Sequence, residues 1–268
     1  MNVLLLSDFS PVAINATHYA MDVLQDKQVN FYLLNIFDPD PDDLEKFAGA
    51  GNLTISGKLK ERVEKLQQRS KGRQHKITGH YSEEKLVNKA RDFVQQHKID
   101  LIVMGAVGRE QSTSSILGRH TFEIMSKIKC NILAVAEGSE YKKPKKLIMP
   151  LDYTASFGEK NISFLKNSGV FNKVNLDVWE LAGSGDVENL DHLEKKGIFS
   201  ALKDLNIKFS PLQDSAFTDK TIWMDVQNKF HLIVLLGKNL RICDRLLHNR
   251  HGLYATVPNQ LPILVLHD

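Results

Sequence analysis

Three closely spaced glycines are the residues of this sequence best suited to bind a charged ligand. Gly105, Gly108 and Gly118 directly follow an apolar run at residues 101–104, and an amphipathic segment at residues 121–129 comes next. Glycine permits positive φ and lets a phosphate approach the backbone closely. The N-terminus of a helix adds unpaired N–H donors and a positive dipole end. This order of elements predicts a phosphate site, although a tight turn explains any one of the glycines as well.

The glycines belong to a chain in which apolar strands and amphipathic helices alternate. Short apolar runs of the kind found in buried parallel strands lie at residues 3–6, 29–36, 77–81, 101–104 and 131–136. Strands that alternate with helices predict an open parallel sheet of the α/β class. The sheet has to position the glycines at the end of its fourth strand.

Signals for helix starts separate these strands. Ser10 as N-cap and Pro11 at the first helical position predict a helix. Its inner face is predicted to carry Ala13, Ala16, Ala20 and Leu24. We predict a loop at residues 38–57. The spacing of the apolar residues predicts a helix at residues 58–69. Ser82, followed by two glutamates, predicts the N-cap of a further helix that runs through residue 97.

The order of elements starts again after a lysine-rich linker at residues 137–146. The matching segments are 3–10 with 146–154, 100–105 with 231–237, and 131–135 with 262–266. We therefore predict two tandem open parallel-sheet domains of the Rossmann-like α/β class, at residues 1–138 and 146–268, related by a pseudo-two-fold axis.

The second copy does not keep the glycine pattern. Leu240 stands three positions after Gly237, and Arg250 stands where the third glycine is expected. Asp152, the counterpart of Asp8, therefore lacks glycine partners and is interpreted as a turn residue. We predict that the second domain is a structural copy without a phosphate site.

Composition and charge exclude several classes of function. Lys and Arg number 35 against 32 Asp and Glu, so bulk charge does not imply binding to nucleic acid or to a membrane. Cys130 and Cys243 lie far apart without a CxxC spacing, which fits a reducing compartment. The N-terminal residues lack the pattern of a signal peptide, and no apolar run approaches the roughly 18 residues of a membrane helix. We expect a cytoplasmic protein.

The glycine pattern also resembles a known signature. Gly-x2-Gly-x9-Gly, after a strand that follows Asp100, resembles the nucleotide-binding signature of the universal stress protein family. The resemblance implies an adenine nucleotide α-hydrolase-like fold and an adenine nucleotide ligand, ATP, with or without Mg²⁺. The family has Ser or Thr directly after the last glycine, whereas this chain has Arg119, and its nearest hydroxyl is Thr121.

The resemblance also implies which residues contact the nucleotide. Asp8 is expected to touch the adenine or the ribose, and the backbone near Ile36 to meet the base edge. Arg109, Arg119 and His120 either contact the phosphates or are simply solvated, and an Asx turn is a second role for Asp8. The full expected set is Asp8, Phe9, Ser10, Ile36, Met104, Gly105, Gly108, Arg109, Gly118, Arg119, His120 and Thr121.

No pattern in the sequence predicts a catalytic or metal centre. The pair His248 and His251 lacks acidic or cysteine partners nearby. We therefore expect a nucleotide-binding protein with a role in stress sensing. A slow nucleotide hydrolase or transferase that uses His120 or Asp8 with Mg²⁺ is one alternative. A scaffold that has lost nucleotide binding is the other, and Arg119 favours it.

The last strand of each domain predicts how the two domains meet. Residues 131–136 and 262–266 are short and apolar, and the family resemblance places each at a sheet edge. An exposed apolar edge pairs readily with another strand. We expect the two strands to meet and form an intramolecular pseudo-dimer, and a homodimer of whole chains remains an option.

Overall fold

The computed structural model describes residues 1–37, 52–106, 118–151, 159–181, 200, 202, 205–212, 220–237 and 260–268. The first half contains β1 (Asn2–Leu6), α1 (Pro11–Val23), β2 (Val29–Ile36), α2 (Asn52–Arg69), β3 (His75–Ser82), α3 (Leu86–His97), β4 (Leu101–Gly105), α4 (Arg119–Lys127) and β5 (Asn131–Val135). The second half contains β6 (Lys146–Leu151), α5 (Glu159–Asn167), β7 (Asn175–Leu181), β8 (Asn206–Leu212), α6 (Lys220–Lys229), β9 (Leu232–Leu236) and β10 (Ile263–Leu266). The predicted α/β class is confirmed.

The strands of the described residues form one 10-stranded sheet in the order β3-β2-β1-β4-β5-β10-β9-β6-β7-β8. Neighbouring strands are parallel within each half, whereas β5 and β10 are antiparallel. Ile263 pairs with Ala134, and Leu264 pairs with Leu133. The predicted pairing of the last strands of the two halves is therefore confirmed, and it makes the sheet continuous.

Both faces of the sheet are buried, because helices cover each of them. Leu4 and Leu6 belong to the core beneath α3, α4 and α6. Val3 and Leu5 belong to the core beneath α1, α2 and α5. Burial on both faces explains why β1 is a continuous apolar run rather than an alternating one. Among the described helices, none combines the length and the apolar composition that crossing a membrane requires.

The first helix begins where the sequence predicted it. Ser10 is the N-cap of α1, its hydroxyl accepts a hydrogen bond from the Ala13 backbone N–H, and Pro11 is the first helical residue. The side chains predicted for the inner face are all buried, namely those of Ala13, Ala16, Ala20 and Leu24. The helix therefore packs its small-residue stripe closely onto the sheet.

Two other predicted boundaries are wrong. Helix α2 begins at Asn52, so residues 52–57 are helical and do not belong to the predicted loop. Helix α3 begins at Leu86, with Lys85 rather than Ser82 at its N-cap. Ser82 instead ends β3, and its hydroxyl accepts a hydrogen bond from the Glu84 backbone N–H at 3.2 Å. A Ser–Glu–Glu sequence fits this local turn as well as it fits a helix start.

Four ring side chains pack α3 against the edge of the sheet. The ring of His97 stacks on Phe93 with centroids 4.3 Å apart, and it lies 4.6 Å from the ring of Tyr32 on β2. His80 on β3 meets Phe93 edge to face at 5.0 Å. Burial lowers the pKa of His80, and the nearby His97 and Lys89 lower it further. The packing therefore favours the neutral form of His80.

Acidification from about pH 7.5 to about pH 5.5 is expected to destabilise the fold partly through His80. A histidine whose pKa is lowered by folding stabilises the protein fully above its unfolded pKa of 6.5. That stabilisation is lost as the pH falls from 6.5 towards the lower folded pKa. His80→Phe keeps a ring against Phe93 but takes up no proton. Its urea midpoint should therefore fall less than the wild-type midpoint does, and equal falls would contradict this role.

Candidate functional site

The strand order creates a crevice between β1 and β4. From β1 the chain continues to β2 and β3 on one side, whereas β4 and β5 lie on the other side. Leu6 pairs with Leu34, and Leu5 pairs with Val103, so the carboxyl ends of β1, β2 and β4 lie at the same edge of the sheet. Ligands of open α/β sheets bind outside these ends, at the point where the strand order reverses. Asp8 and Gly105 both lie there.

Asp8 forms a tight turn between β1 and α1. Its Oδ1 accepts hydrogen bonds from the backbone N–H of Ser10 at 2.9 Å and from the Ser10 hydroxyl at 2.5 Å. Phe9, between them, has φ of 61°, a left-handed conformation that costs a non-glycine residue about 1–3 kcal/mol. The Asx turn expected as one role of Asp8 is therefore present. It holds the carboxylate at the mouth of the crevice.

A buried asparagine that the sequence analysis did not single out supports this turn. The side-chain amide of Asn35 donates to the Ser7 carbonyl at 2.8 Å, and the Ser7 backbone N–H donates to the Leu34 carbonyl at 3.1 Å. These bonds join the ends of β1 and β2. The sequence gives no distinct signal for this role, because the strand that ends at Ile36 contains a second asparagine, Asn30. The backbone continues to pair beyond that strand, because Phe37 donates to the Ser82 carbonyl.

Gly105 is required by packing within the protein. A Cβ atom at this position would lie 2.9 and 3.0 Å from the methyl groups of Val12 and 3.3 Å from the Ala13 backbone nitrogen. These distances are shorter than side-chain contacts normally allow. The N-terminus of α1 can therefore lie against the end of β4 because residue 105 has no side chain. Met104, which precedes it, is buried in the core.

Two hydrogen bonds join the ends of the glycine segment, and a third joins Ala106 to β5. The Ala106 backbone N–H donates to the Val135 carbonyl at 2.8 Å, and the Gly118 backbone N–H donates to the Ala106 carbonyl at 2.7 Å. The Thr121 hydroxyl donates to the Gly105 carbonyl at 2.8 Å. Thr121 is buried, so its hydroxyl fixes the start of α4 to the end of β4. Gly108 and Arg109 lie outside the described residues.

The N-cap residue of α4 contributes no capping side chain. Gly118 is the N-cap residue, and among the described residues the first turn of the helix contains no acidic side chain. Its φ of −67° and ψ of 157° match the −66° and 160° of the N-cap Ser10, so this conformation does not require glycine. Of the two reasons for a glycine here, a positive φ and the close approach of a ligand, Gly118 does not need the first. The first backbone N–H groups of α4 are well suited to accept an anion.

Two basic residues flank this helix end. Arg119 and His120 are exposed. The pKa of Glu123 is lowered first by its hydrogen bond to Lys127 and then, more weakly, by the charges of Arg119 and His120. Arg119 thus brings positive charge to the start of α4, and the nearby carboxylate of Glu123 pairs with Lys127.

The corresponding place in the second half is filled by a side chain. The Gly237 backbone N–H donates to the Leu266 carbonyl at 2.8 Å. A Cβ atom on Gly237 would come within 2.5 Å of both ring nitrogens of His267. The imidazole therefore occupies the space above this glycine. Asp152, Leu240 and Arg250 lie outside the described residues.

Comparison with known families identifies the first half. The sequence profile of the universal stress protein family matches residues 1–136. The chain belongs to the universal stress protein family. In this universal stress protein the matched residues include every described element of the crevice. No curated protein sequence matches the chain at a significant level.

Solved structures extend the likeness in fold over both halves. A universal stress protein from Archaeoglobus fulgidus matches with a TM-score of 0.63 and 13% identity, covering 100% of this chain and 97% of that one. The cytoplasmic domain of a prokaryotic cation chloride cotransporter matches with a TM-score of 0.55 and 12% identity, covering 100% of this chain and 95% of that one. At these identities the likeness concerns the fold alone.

The two described glycines of the crevice should respond differently to substitution. Gly105→Ala forces a methyl group against Val12 and is expected to lower the free energy of unfolding by about 1–3 kcal/mol. Gly118→Ser places a favourable N-cap residue in a conformation that Ser10 already adopts, and should leave stability unchanged or raise it by up to about 1 kcal/mol. Urea denaturation measures both. A loss at Gly118→Ser as large as that at Gly105→Ala would show that folding itself requires Gly118.

Proposed function

We propose that this universal stress protein binds an adenine nucleotide, ATP in the first instance, in the crevice of its first half. The observation that carries the proposal is the position of the N-terminus of α4, which Thr121 and Ala106 hold beside the end of β4. Such a helix end accepts phosphate through its backbone N–H groups and its dipole. Its place at the reversal of strand order is the usual ligand position in this class of sheet.

Each part of the crevice has a role in the proposed complex. The backbone N–H groups of α4 and the side chains of Arg119 and His120 contact the phosphates, and a divalent ion such as Mg²⁺ enters with them. The carboxylate of Asp8 contacts the ribose or the adenine, and the backbone after Ile36 meets the base edge. The remaining proposed contacts are Phe9, Ser10, Met104, Gly105 and, in the segment that joins β4 to α4, Gly108 and Arg109.

The proposal assigns the nucleotide to one of two tandem domains. In this proposal residues 1–138 are the binding domain and residues 146–268 its degenerate copy, and the two form an intramolecular pseudo-dimer, which the pairing of β5 with β10 supports. This difference between the halves is supported by the second half, where the ring of His267 fills the space above Gly237. The resulting function is nucleotide-dependent sensing in a cytoplasmic stress response, without strong catalysis.

Isothermal titration of the full chain with ATP tests the proposal. The expected stoichiometry is about one nucleotide per chain, because only the first half keeps the three-glycine pattern. Gly118→Val should abolish binding while leaving the circular dichroism spectrum unchanged, since its side chain blocks the approach of the phosphates to α4. Two equivalent sites would contradict the degeneracy of the second half. No binding by the wild-type chain would support the scaffold alternative.

Asp8 allows the ligand contact to be separated from the turn. Asp8→Asn keeps an Oδ1 acceptor for Ser10 but removes the charge, so it should weaken ATP binding by about 1–2 kcal/mol with little change in melting temperature. Asp8→Ala removes the acceptor as well and should lower the melting temperature too. Asp152→Asn is the matched control in the second half. If it weakens ATP binding as much as Asp8→Asn does, the nucleotide is not in the first half.

The β5–β10 pairing predicts how an isolated first half behaves. Residues 1–143 expose the edge of β5 that β10 covers in the full chain, and an apolar edge of this kind pairs with a second copy. We expect this fragment to dimerise in light scattering, with the amides of β5 protected from hydrogen exchange. A well-folded monomer whose β5 amides exchange freely would contradict the proposed pseudo-dimer.

A further inference from the structure

Two rows of polar side chains face one another where α1 packs beside α2. His18 and Asp22, four residues apart, lie on one side of α1, and Arg62 and Arg69, seven residues apart, lie on one side of α2. An Arg62 Nη2 donates to the His18 Nε2 at 3.1 Å. Arg69 pairs with Asp22 at 2.7 Å between Nη2 and Oδ2. The two rows therefore meet directly, guanidinium to imidazole and guanidinium to carboxylate.

The contact between Arg62 and His18 brings a positive charge to a neutral partner. A guanidinium has no acceptor, so the Nε2 of His18 must be unprotonated to accept this hydrogen bond. Burial, followed by the charges of Arg62 and Arg69, lowers the pKa of His18. Arg62 is half-buried, and burial together with the charge of Arg69 lowers its pKa as well. The guanidiniums of Arg62 and Arg69 thus repel one another at a position from which water is partly excluded.

The carboxylates nearby are already engaged. Asp22 accepts from Arg69 and also from Arg73, whose Nη1 lies 3.1 Å from its Oδ1. Glu61 pairs with Lys65 one turn along α2. Glu64 is two residues from Arg62, hence about 200° around the helix. Within the part of the chain that the structure describes, no carboxylate forms an ion pair with Arg62.

The surrounding segment is strongly basic as well. Residues 58–76 contain eight lysines and arginines and only two glutamates, whereas the whole chain has 35 basic against 32 acidic residues. Excess positive charge is therefore concentrated on α2 and the start of β3, and it raises the local concentration of anions. The partial exposure of His18, Arg62 and Arg69 leaves room for a ligand to reach them.

We propose that Arg62, Arg69 and His18 form a binding site for a small phosphate-class oxyanion, separate from the nucleotide crevice. The planar guanidiniums present paired N–H donors that match the oxygens of such an anion. Once the Arg62 guanidinium donates to the anion instead of to His18, the Nε2 of His18 takes up a proton and becomes a further donor. The site lies about 10 Å along α1 from the N-terminus that borders the crevice, since His18 follows Pro11 by seven residues.

Nuclear magnetic resonance of the full chain, labelled in its histidine rings, tests this site. Sodium phosphate is added at constant ionic strength with sodium chloride as the balancing salt, and the ring signal of His18, assigned with His18→Gln, is followed. The matched variants are Arg62→Gln, Lys60→Gln as an exposed charge control on the same helix, and Gly118→Val to block the crevice. Circular dichroism and melting temperature in chloride confirm that each variant is folded.

The expected result is a saturable shift of the His18 signal and an increase in its pKa with phosphate in the wild type, Lys60→Gln and Gly118→Val. Arg62→Gln should bind at least about tenfold more weakly, because one charge-assisted interaction is lost. The proposal is overturned if phosphate gives no saturable shift, or if Arg62→Gln and Lys60→Gln respond alike. It is also overturned if Gly118→Val removes the response, since phosphate would then enter only the crevice.

Discussion

The contact between Gly105 and Val12 sets the geometry on which the first half depends. Because residue 105 has no side chain, the N-terminus of α1 lies directly against the end of β4. The carbonyl of the same glycine accepts the hydroxyl of Thr121, which fixes the start of α4. One residue thus positions both helices that border the crevice. The glycine that the sequence assigned to ligand binding therefore acts first through packing, and in the proposed complex the ligand contacts the helix end that this glycine holds.

The two halves show how a repeated element can diverge. Gly105 ends β4 and is covered by α1, whereas Gly237 follows the end of β9 and is covered by the imidazole of His267. The sheet itself is shared, since β5 and β10 pair in its middle and their side chains are buried on both faces. The repeat preserves the scaffold, which needs only apolar strands and covering helices. The crevice needs particular residues at particular ends, so it is the part that one copy can lose.

Much of the fold could be predicted because its signals are local or periodic. The apolar run at residues 29–36 and the Ser10–Pro11 helix start agree with β2 and α1 residue by residue. The start of α3 could not be predicted from Ser82, because a serine followed by glutamates also forms a local turn at the end of a strand. The true start at Leu86 depends on how the helix packs against Tyr32 and His80, contacts between segments distant in sequence.

The candidate site, too, could be predicted from the sequence only in part. Glycine spacing located Gly105 and Gly118, but the reason for each differs and only the three-dimensional structure reveals it. Gly118 has an ordinary φ, and Thr121 turns its hydroxyl to a backbone carbonyl rather than outward. Asn35 was missed because one amide in an apolar strand has no sequence pattern of its own.

The central claim is that a nucleotide lies against the N-terminus of α4 in the first half. Hydrogen–deuterium exchange of the full chain with and without saturating ATP tests it most directly. The proposed complex places the phosphates on the first backbone N–H groups of α4, so these amides should exchange more slowly with ATP than without it. The account predicts slower exchange with ATP in peptides that cover residues 7–10 and 118–122. No change there, or protection confined to the second half, would contradict it.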